Sequence, residues 1–418
     1  MDTKLWLAGA TASLLVLTGC DQSAQVCRQV DTRWHRENLV NGNLAHWLAQ
    51  APTENGFFRT NFSRDWHAAT GQGVALTNQA RLIYAMVRGF DATGDRRYLD
   101  AAKRGGDFLL EHFRDPEHPG WFEEVGPDGK VRSAAKKTYS HAFVILALAH
   151  LYRADGNERY REAALLTWGW LYLYLRDDAG GYPPEATVQF APAEGLRTQN
   201  PVMHLFEAML ALWEVTRDPD ALSGARAVGD FVIVRLLVRR QQDAYIPEWY
   251  SAQWQPLPGD GGGYIDLGHQ FEWAWLLSDA AMHGLPASYA ETGELVLAYA
   301  LKEGYDQDRG GCFNRLSPEG HKDLGKGWWE QSETLRTLMH YAALRGRTEL
   351  WPRYDQTLAL VRRDFADAVN GGWYPAPLKN CSDSPCTQAQ AGVGYHIAAM
   401  HMEALGLTAQ CKSPESGP

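Results

Sequence analysis

Three histidines in this chain stand in apolar, helix-like runs, two of them with a carboxylate one helical turn away. Asn200, His204 and Glu207 are spaced i, i+4, i+7 and share one helix face, and His269 and Glu272 are spaced i, i+3. Trp329 and Glu333 are four apart, while Arg81 and His396 stand near the starts of two further apolar stretches. A neutral imidazole accepts a proton near neutrality, and a second one can return it. A nearby guanidinium stabilises charge developing on an oxygen. Glu207, Glu272 and Glu333 read as groups that orient and tune these side chains. Burying a polar side chain without a partner costs about 1–3 kcal/mol. Repeating that cost at matching depth in five segments argues for chemistry rather than packing. His67, His112, His141 and His340 lack this company and read as caps or satisfied core residues. The pairs Trp328-Trp329 and Trp273/Trp275 are divided between core and a flat platform for a ligand.

Such residues need elements that deliver them to one place. A Gly-aromatic turn recurs at Gly56-Phe57, Gly120-Trp121, Gly181-Tyr182, Gly311-Cys312-Phe313 and Gly372-Trp373, with Asp243-Ala244-Tyr245 filling the one large gap. The spacing, roughly 60 to 68 residues, suits two helices plus loops. Between the turns the apolar period is helical. One set of amphipathic helices is expected near 37–50, 97–113, 157–175, 219–238, 286–302 and 348–367. A second, more apolar set is expected near 74–90, 136–153, 199–215, 267–283, 329–345 and 393–407, as suits helices buried on both sides. Six outer and six inner helices describe an all-α (α/α)6 barrel in a single domain. Its inner helices run parallel, so their N-terminal ends, and the polar residues there, open on one rim. No sustained period-2 pattern occurs, and the best hairpin candidate is Tyr245 to Tyr264.

The chain has 418 residues, 45% hydrophobic and 22% charged, with a net charge of −10. That is globular composition, and its acidic balance disfavours nucleic acid as a partner. Residues 1–20 have a Lys4-bearing start and an apolar run too short to span a bilayer. The run ends in Leu17-Thr18-Gly19-Cys20, which resembles a bacterial lipobox, with Cys20 as the lipidated residue. The expected organisation is a signal peptide over 1–20, a tether over 21–36 and a catalytic barrel over 37–410. The mature protein is expected to be exported, lipid-anchored at a bacterial membrane on the periplasmic side, and monomeric. Export permits disulfides. Cys381 and Cys386 flank a short loop, Cys27 and Cys411 lie near the two ends, and Cys312 is left over. No Cys/His spacing suggests a metal, no nucleotide motif occurs, and no cofactor is expected.

The strings Asn78-Gln79-Ala80-Arg81, Lys137-Thr138-Tyr139-Ser140-His141-Ala142-Phe143 and Asn200-Pro201-Val202-Met203-His204-Leu205-Phe206-Glu207 are followed by Gly268-His269-Gln270-Phe271-Glu272-Trp273-Ala274-Trp275. Then come Lys326-Gly327-Trp328-Trp329-Glu330-Gln331-Ser332-Glu333 and Tyr395-His396. In this order they resemble the N-acylglucosamine 2-epimerase superfamily, which includes cellobiose 2-epimerases and mannose isomerases. The resemblance implies an (α/α)6 barrel, with His269 and His396 as the acid/base pair and Arg81 and His204 on the sugar oxygens. Asn200, Tyr139, Trp328, Trp329, Glu272 and Glu333 would complete a substrate site. Departures occur: Val202 stands where relatives tend to have His, Gln390 to Gly394 replaces a Trp-rich stretch, and Ala398 or Ala399 replaces a basic residue.

Epimerising a sugar at C2, or isomerising an aldose, requires ring opening and removal of the C2 proton beside the C1 carbonyl. Two histidines and an arginine suffice for that, and positive helix N-termini are expected to lower the histidine pKa values. The partner would be a mono- or disaccharide. Two other readings remain. A glycoside hydrolase would draw paired carboxylates from Asp65, Glu123, Glu124, Glu185 and Asp266. A sugar-binding lipoprotein would use the Trp-lined mouth for capture alone.

Overall fold

A computed structural model describes residues 25–71, 73–377, 390–409 and 411. The outer layer begins with α1 (Thr32–Leu39), which runs through a π-helical stretch into α2 (Ala45–Gln50). The pairs α3 (Leu76–Thr93) and α4 (Arg96–Phe108), α5 (Thr138–Asp155) and α6 (Glu158–Trp170), and α7 (Asn200–Thr216) and α8 (Pro219–Phe231) follow. Next come α9 (Leu267–Met282) with α10 (Ser288–Tyr299), α11 (Trp328–Leu344) with α12 (Trp351–Asp364), and finally α13 (Tyr395–Leu407). The inner helices α3, α5, α7, α9, α11 and α13 pack in sequence order, and α13 returns to α3, closing the (α/α)6 barrel.

The two ends of the barrel are built differently. At the C-terminal ends of the inner helices the corners are tight. Gly94 and Gly156 cap α3 and α5 with φ of 71° and 75°, a conformation glycine adopts freely. Asp95, Asn157 and Asp218 then cap the outer helices that follow, each side chain accepting a backbone N–H. The long loops all lie at the other end. There, two- and three-residue strands stitch neighbouring repeats: Val74–Ala75 pairs with Glu124–Val125, Lys136–Lys137 with Glu185–Ala186, and Ile265–Asp266 with Arg315–Leu316, all antiparallel. Arg197–Thr198 pairs with Trp249–Tyr250 in the same way. The hairpin expected from Tyr245 to Tyr264 reduces to one bridge, Tyr250 to Pro256, because Trp249–Tyr250 is taken by the preceding repeat.

The Gly-aromatic turns are held from inside by a repeated clamp. The Gln79 amide bonds both backbone groups of Phe58 (2.7 and 2.9 Å), Gln270 both groups of Ile246 (2.9 and 2.9 Å) and Gln331 both groups of Cys312 (2.8 and 2.9 Å). In a fourth repeat His141 accepts from the Trp121 N–H at 3.0 Å. Each clamp stands one or two positions from a candidate site residue, so it fixes the rim that carries the site. Gln331→Leu strands a buried N–H and a buried C=O. A loss of about 2–4 kcal/mol in urea unfolding is expected.

The first outer helix begins at Thr32 rather than near 37, because Asp31 caps it by accepting from the Trp34 N–H. His35, within the expected tether, is buried against His401 and Tyr354. Cys27 is joined to Cys411, with Cα atoms 5.7 Å apart. Cys312 is buried and free. Cys20, the expected lipidation site, and Cys381 and Cys386, which flank the short loop, lie outside the described residues. Among those described, no helix is long and apolar enough to cross a membrane.

Candidate active site

All six inner helices contribute to one cluster at the long-loop rim. His269 stands in the first turn of α9, where Asp266 caps the helix through the His269 N–H at 3.1 Å. Its Nδ1–H donates to Glu248 Oε2 at 2.8 Å, with Asp266 Oδ1 at 3.8 Å. Glu248 also accepts from Thr198 Oγ1 (2.8 Å) and from the Gln199 amide (2.7 Å). The 197–198/249–250 strand pair brings Glu248 there. Burial opposes charging of His269, but Asp266 and Glu248 together outweigh it, and the pKa is pushed up to about 10. His269 is therefore an imidazolium, opposite to the lowering expected from its helix N-terminus.

His396, at the start of α13, donates Nδ1–H to Glu333 Oε1 at 2.7 Å. Burial, together with the positive charges of Arg81, Arg336 and His269, holds its pKa well below the ordinary histidine value. Next to it, His204 has its ring centroid 6.5 Å away and bonds Glu207 Oε2 through Nδ1 at 3.2 Å. Burial lowers the His204 pKa to about 4, although Glu207 acts against it. Two neutral imidazoles thus offer Nε2 as an acceptor, while His269 carries a proton. The Trp329 indole lies 4.9 Å from the His269 ring and 5.5 Å from the His396 ring, so it touches both. Trp328 flanks His396 at 5.8 Å.

Arg81 donates to the Tyr139 hydroxyl at 2.5 Å and stacks over Phe143 at 4.2 Å, and its buried Nε has no hydrogen-bond partner. The Asn200 side-chain oxygen is likewise buried and unpartnered. Glu272 does not pair with His269, whose Nδ1 turns toward the loop. Both its carboxyl oxygens are buried without a hydrogen-bond partner. Burial and the nearby Glu333 and Glu207 push its pKa well above the carboxylate range, making it a protonated donor. It is central: its carboxyl comes within 4.8 Å of ring nitrogens or carboxyl oxygens of His204 and Glu207, and likewise of Glu333 and His396.

Arg81, Tyr139, His204, His269, Glu272, Trp328, Trp329, Glu333 and His396 therefore lie in or beside this cluster. His141 and His340 are satisfied core residues, the latter bonded to Ser278 and Glu403. Trp273 and Trp275 are buried in the core rather than forming a platform. Asp266 serves His269. Asp65 is exposed beside His67, and Glu123 accepts from Ser140 at 2.7 Å. Glu248 and Gln199 lie outside the helices and carry no signal in the helical pattern, and Arg336, visible as a charge on an inner helix, was not singled out. Tyr395, whose hydroxyl donates to Glu207, was legible only as the neighbour of His396.

Fold and site together define an (α/α)6 barrel whose long-loop rim gathers three buried histidines, their carboxylate partners and an aromatic wall. A family model described as N-acylglucosamine 2-epimerase matches residues 56–399, and the chain belongs to that family. It is 27% identical over 344 residues to N-acylglucosamine 2-epimerase of Homo sapiens, covering 79% of each chain. It is 31% identical over 347 residues to mannose-6-phosphate isomerase of Rhizobium meliloti, covering 76% of this chain and 82% of the relative. Cellobiose 2-epimerase from Bacillus thermoamylovorans shares the fold, with a TM-score of 0.80 at 20% identity over 90% of this chain and 98% of that one.

Proposed function

We propose that the chain, a carbohydrate epimerase or isomerase of the N-acylglucosamine 2-epimerase type, moves the C2 proton of a free reducing sugar between His396 and His269. The observation that carries this is the opposite charge state of the two imidazoles that flank Trp329. Ring opening breaks the C1–O5 bond, with O5 gaining a proton and O1 losing one, and leaves an aldehyde at C1. Neutral His396 takes the C2 proton, and the electron pair moves into C1–C2 while O1 becomes an enolate oxygen. Arg81 and Glu272 stabilise that oxygen through hydrogen bonds. The His269 imidazolium returns a proton to the opposite face of C2, giving the epimer. For the ketose, the O2 proton must pass to O1, so that protonation at C1 leaves the carbonyl at C2.

Mannose, glucose, N-acetylglucosamine, cellobiose and mannobiose incubated with the protein and followed by NMR test the reaction class. An epimer or ketose from at least one of them is expected. Release of reducing ends from a glycoside, or saccharide binding without turnover, would contradict it.

The pH dependence follows from two groups. Burial and Glu207 push the Glu333 pKa up to about 7 despite Arg336. Below that pH Glu333 takes a proton and no longer accepts from His396 Nδ1. Above about 10, His269 loses the proton it must donate. A bell-shaped kcat/KM with limbs near these values is expected. Activity falling steadily from pH 7 to 9 would contradict the assignment of His269 as the acid.

We propose also that the protein is exported and anchored through lipid on Cys20. Cys411 follows the C-terminal end of α13, so the Cys27–Cys411 bridge holds the start of the barrel at the rim opposite the site. Cys20 precedes Cys27 by seven positions, a reach of at most about 25 Å. The sugar-binding mouth would then face away from the lipid. Cys20→Ala should move the protein from the membrane to the soluble fraction, and its retention there would refute the anchor.

A further inference from the structure

His204 and His396 are oriented by carboxylates of the inner helices, and each of these carboxylates has an oxygen left over. His204 and Tyr395 both use Glu207 Oε2, and His396 uses Glu333 Oε1. The remaining oxygens turn toward one guanidinium: Arg336 Nη1 lies 4.0 Å from Glu207 Oε1 and 3.5 Å from Glu333 Oε2. Arg336 is buried in the barrel axis, one turn below Glu333 on α11, with its guanidinium stacked 3.3 Å from the Trp275 ring. Ala399 of α13 lines the same cavity of about 560 Å³ beneath the site, and its small side chain leaves that space open to the arginine.

We propose that Arg336 is a positioning residue for proton transfer: shared between Glu207 and Glu333, it keeps both ionised so that His204 and His396 hold their protons on Nδ1 and present bare Nε2 atoms to the substrate. The proposal rests on the reaction proposed for this site. Its physical basis is that adjacent buried carboxylates cannot all stay charged without a countercharge. Burial and its carboxylate neighbours push the Glu272 pKa, on α9, well above the ordinary range, and Arg336 stands between Glu207 and Glu333, within 4.0 Å of both. A protonated Glu333 would donate to His396 Nδ1, place the imidazole proton on Nε2 and remove the base. The other ionisable groups facing Arg336 do not replace it. On α13, Glu403 is occupied by His340 at 3.0 Å, and the Tyr395 hydroxyl donates its hydrogen bond to Glu207. On α3, Tyr84 is held neutral by burial.

Histidine-labelled ¹⁵N NMR reads the tautomers directly, with His204→Asn and His396→Asn assigning the signals. In the wild-type protein both imidazoles should be neutral with the proton on Nδ1 at pH 8. In Arg336→Met the His396 pattern should change to an Nε2-protonated or averaged form. Turnover should then fall at least about tenfold with KM little altered, and the acid limb should move up in pH. Arg336→Lys should restore the pattern and most of the rate. Should Arg336→Met fail to fold, Arg336→Gln retains volume without charge and is expected to behave like it. Unchanged His204 and His396 signals in a folded Arg336→Met or Arg336→Gln protein would overturn the proposal. A wild-type protein that leaves the C2 proton of every sugar in place would overturn the reaction instead, and the NMR tautomers would still decide the part played by Arg336.

Discussion

His396→Asn is expected to lower turnover by about 10²–10⁴-fold, the usual cost of losing a general base. Asparagine approximates the imidazole's size and can keep the bond to Glu333, now 2.7 Å from His396 Nδ1, so the pocket should stay shaped for substrate. What disappears is the unprotonated Nε2, which burial and the cations Arg81, Arg336 and His269 keep free of a proton. The loss should therefore appear in kcat rather than KM. His204 stands close by and is also neutral, but it belongs to α7, where it is bonded to Glu207 of the same helix and aimed from there. It should not take over. Wild-type kcat in His396→Asn would show that the base is another group.

His269→Asn should be comparably damaged, but by a different route. This residue carries its proton because Asp266 and Glu248 face it, so the variant removes a cation from between two carboxylates. Epimer interconversion should stop, while His396 can still abstract from the epimer whose C2–H faces it. Slow C2 deuterium exchange from that epimer alone is the expected trace. In His396→Asn no such exchange is expected below about pH 10, because His269 already holds a proton. A ketose-forming reaction would instead place the label at C1.

The inner helices were legible because they are apolar on every side. An arginine, a histidine or a glutamate there interrupts the pattern and announces itself. The same reasoning could not find Glu248, which sits in a loop between Pro247 and Trp249 with no periodicity around it. It reaches His269 only because two short strands from successive repeats pair. That pairing also consumed the expected hairpin. The i, i+3 spacing of His269 and Glu272 suggested a partnership that the fold does not make. Spacing places two residues on one face, but the loop carboxylates decide which way the ring nitrogen points. Arg336 is visible as a charge three residues after Glu333, yet its role depends on α7 and α13 arriving beside it, which a helix pattern does not encode. The five-residue π-helical stretches, such as Leu171–Leu175 ending one outer helix, leave the apolar period nearly unchanged and were invisible for that reason.

Proton traffic at C2 is the centre of this account, and deuterium reports it whichever product forms. The decisive measurement is ¹H NMR of the sugar panel incubated in D2O with wild-type protein at pH 8. The account predicts loss of the C2–H signal from at least one reducing sugar, with deuterium at C2 of its epimer or at C1 of its ketose. Retention of every C2 proton at full enzyme concentration, or transformation of a sugar with its C2–H intact, would contradict it.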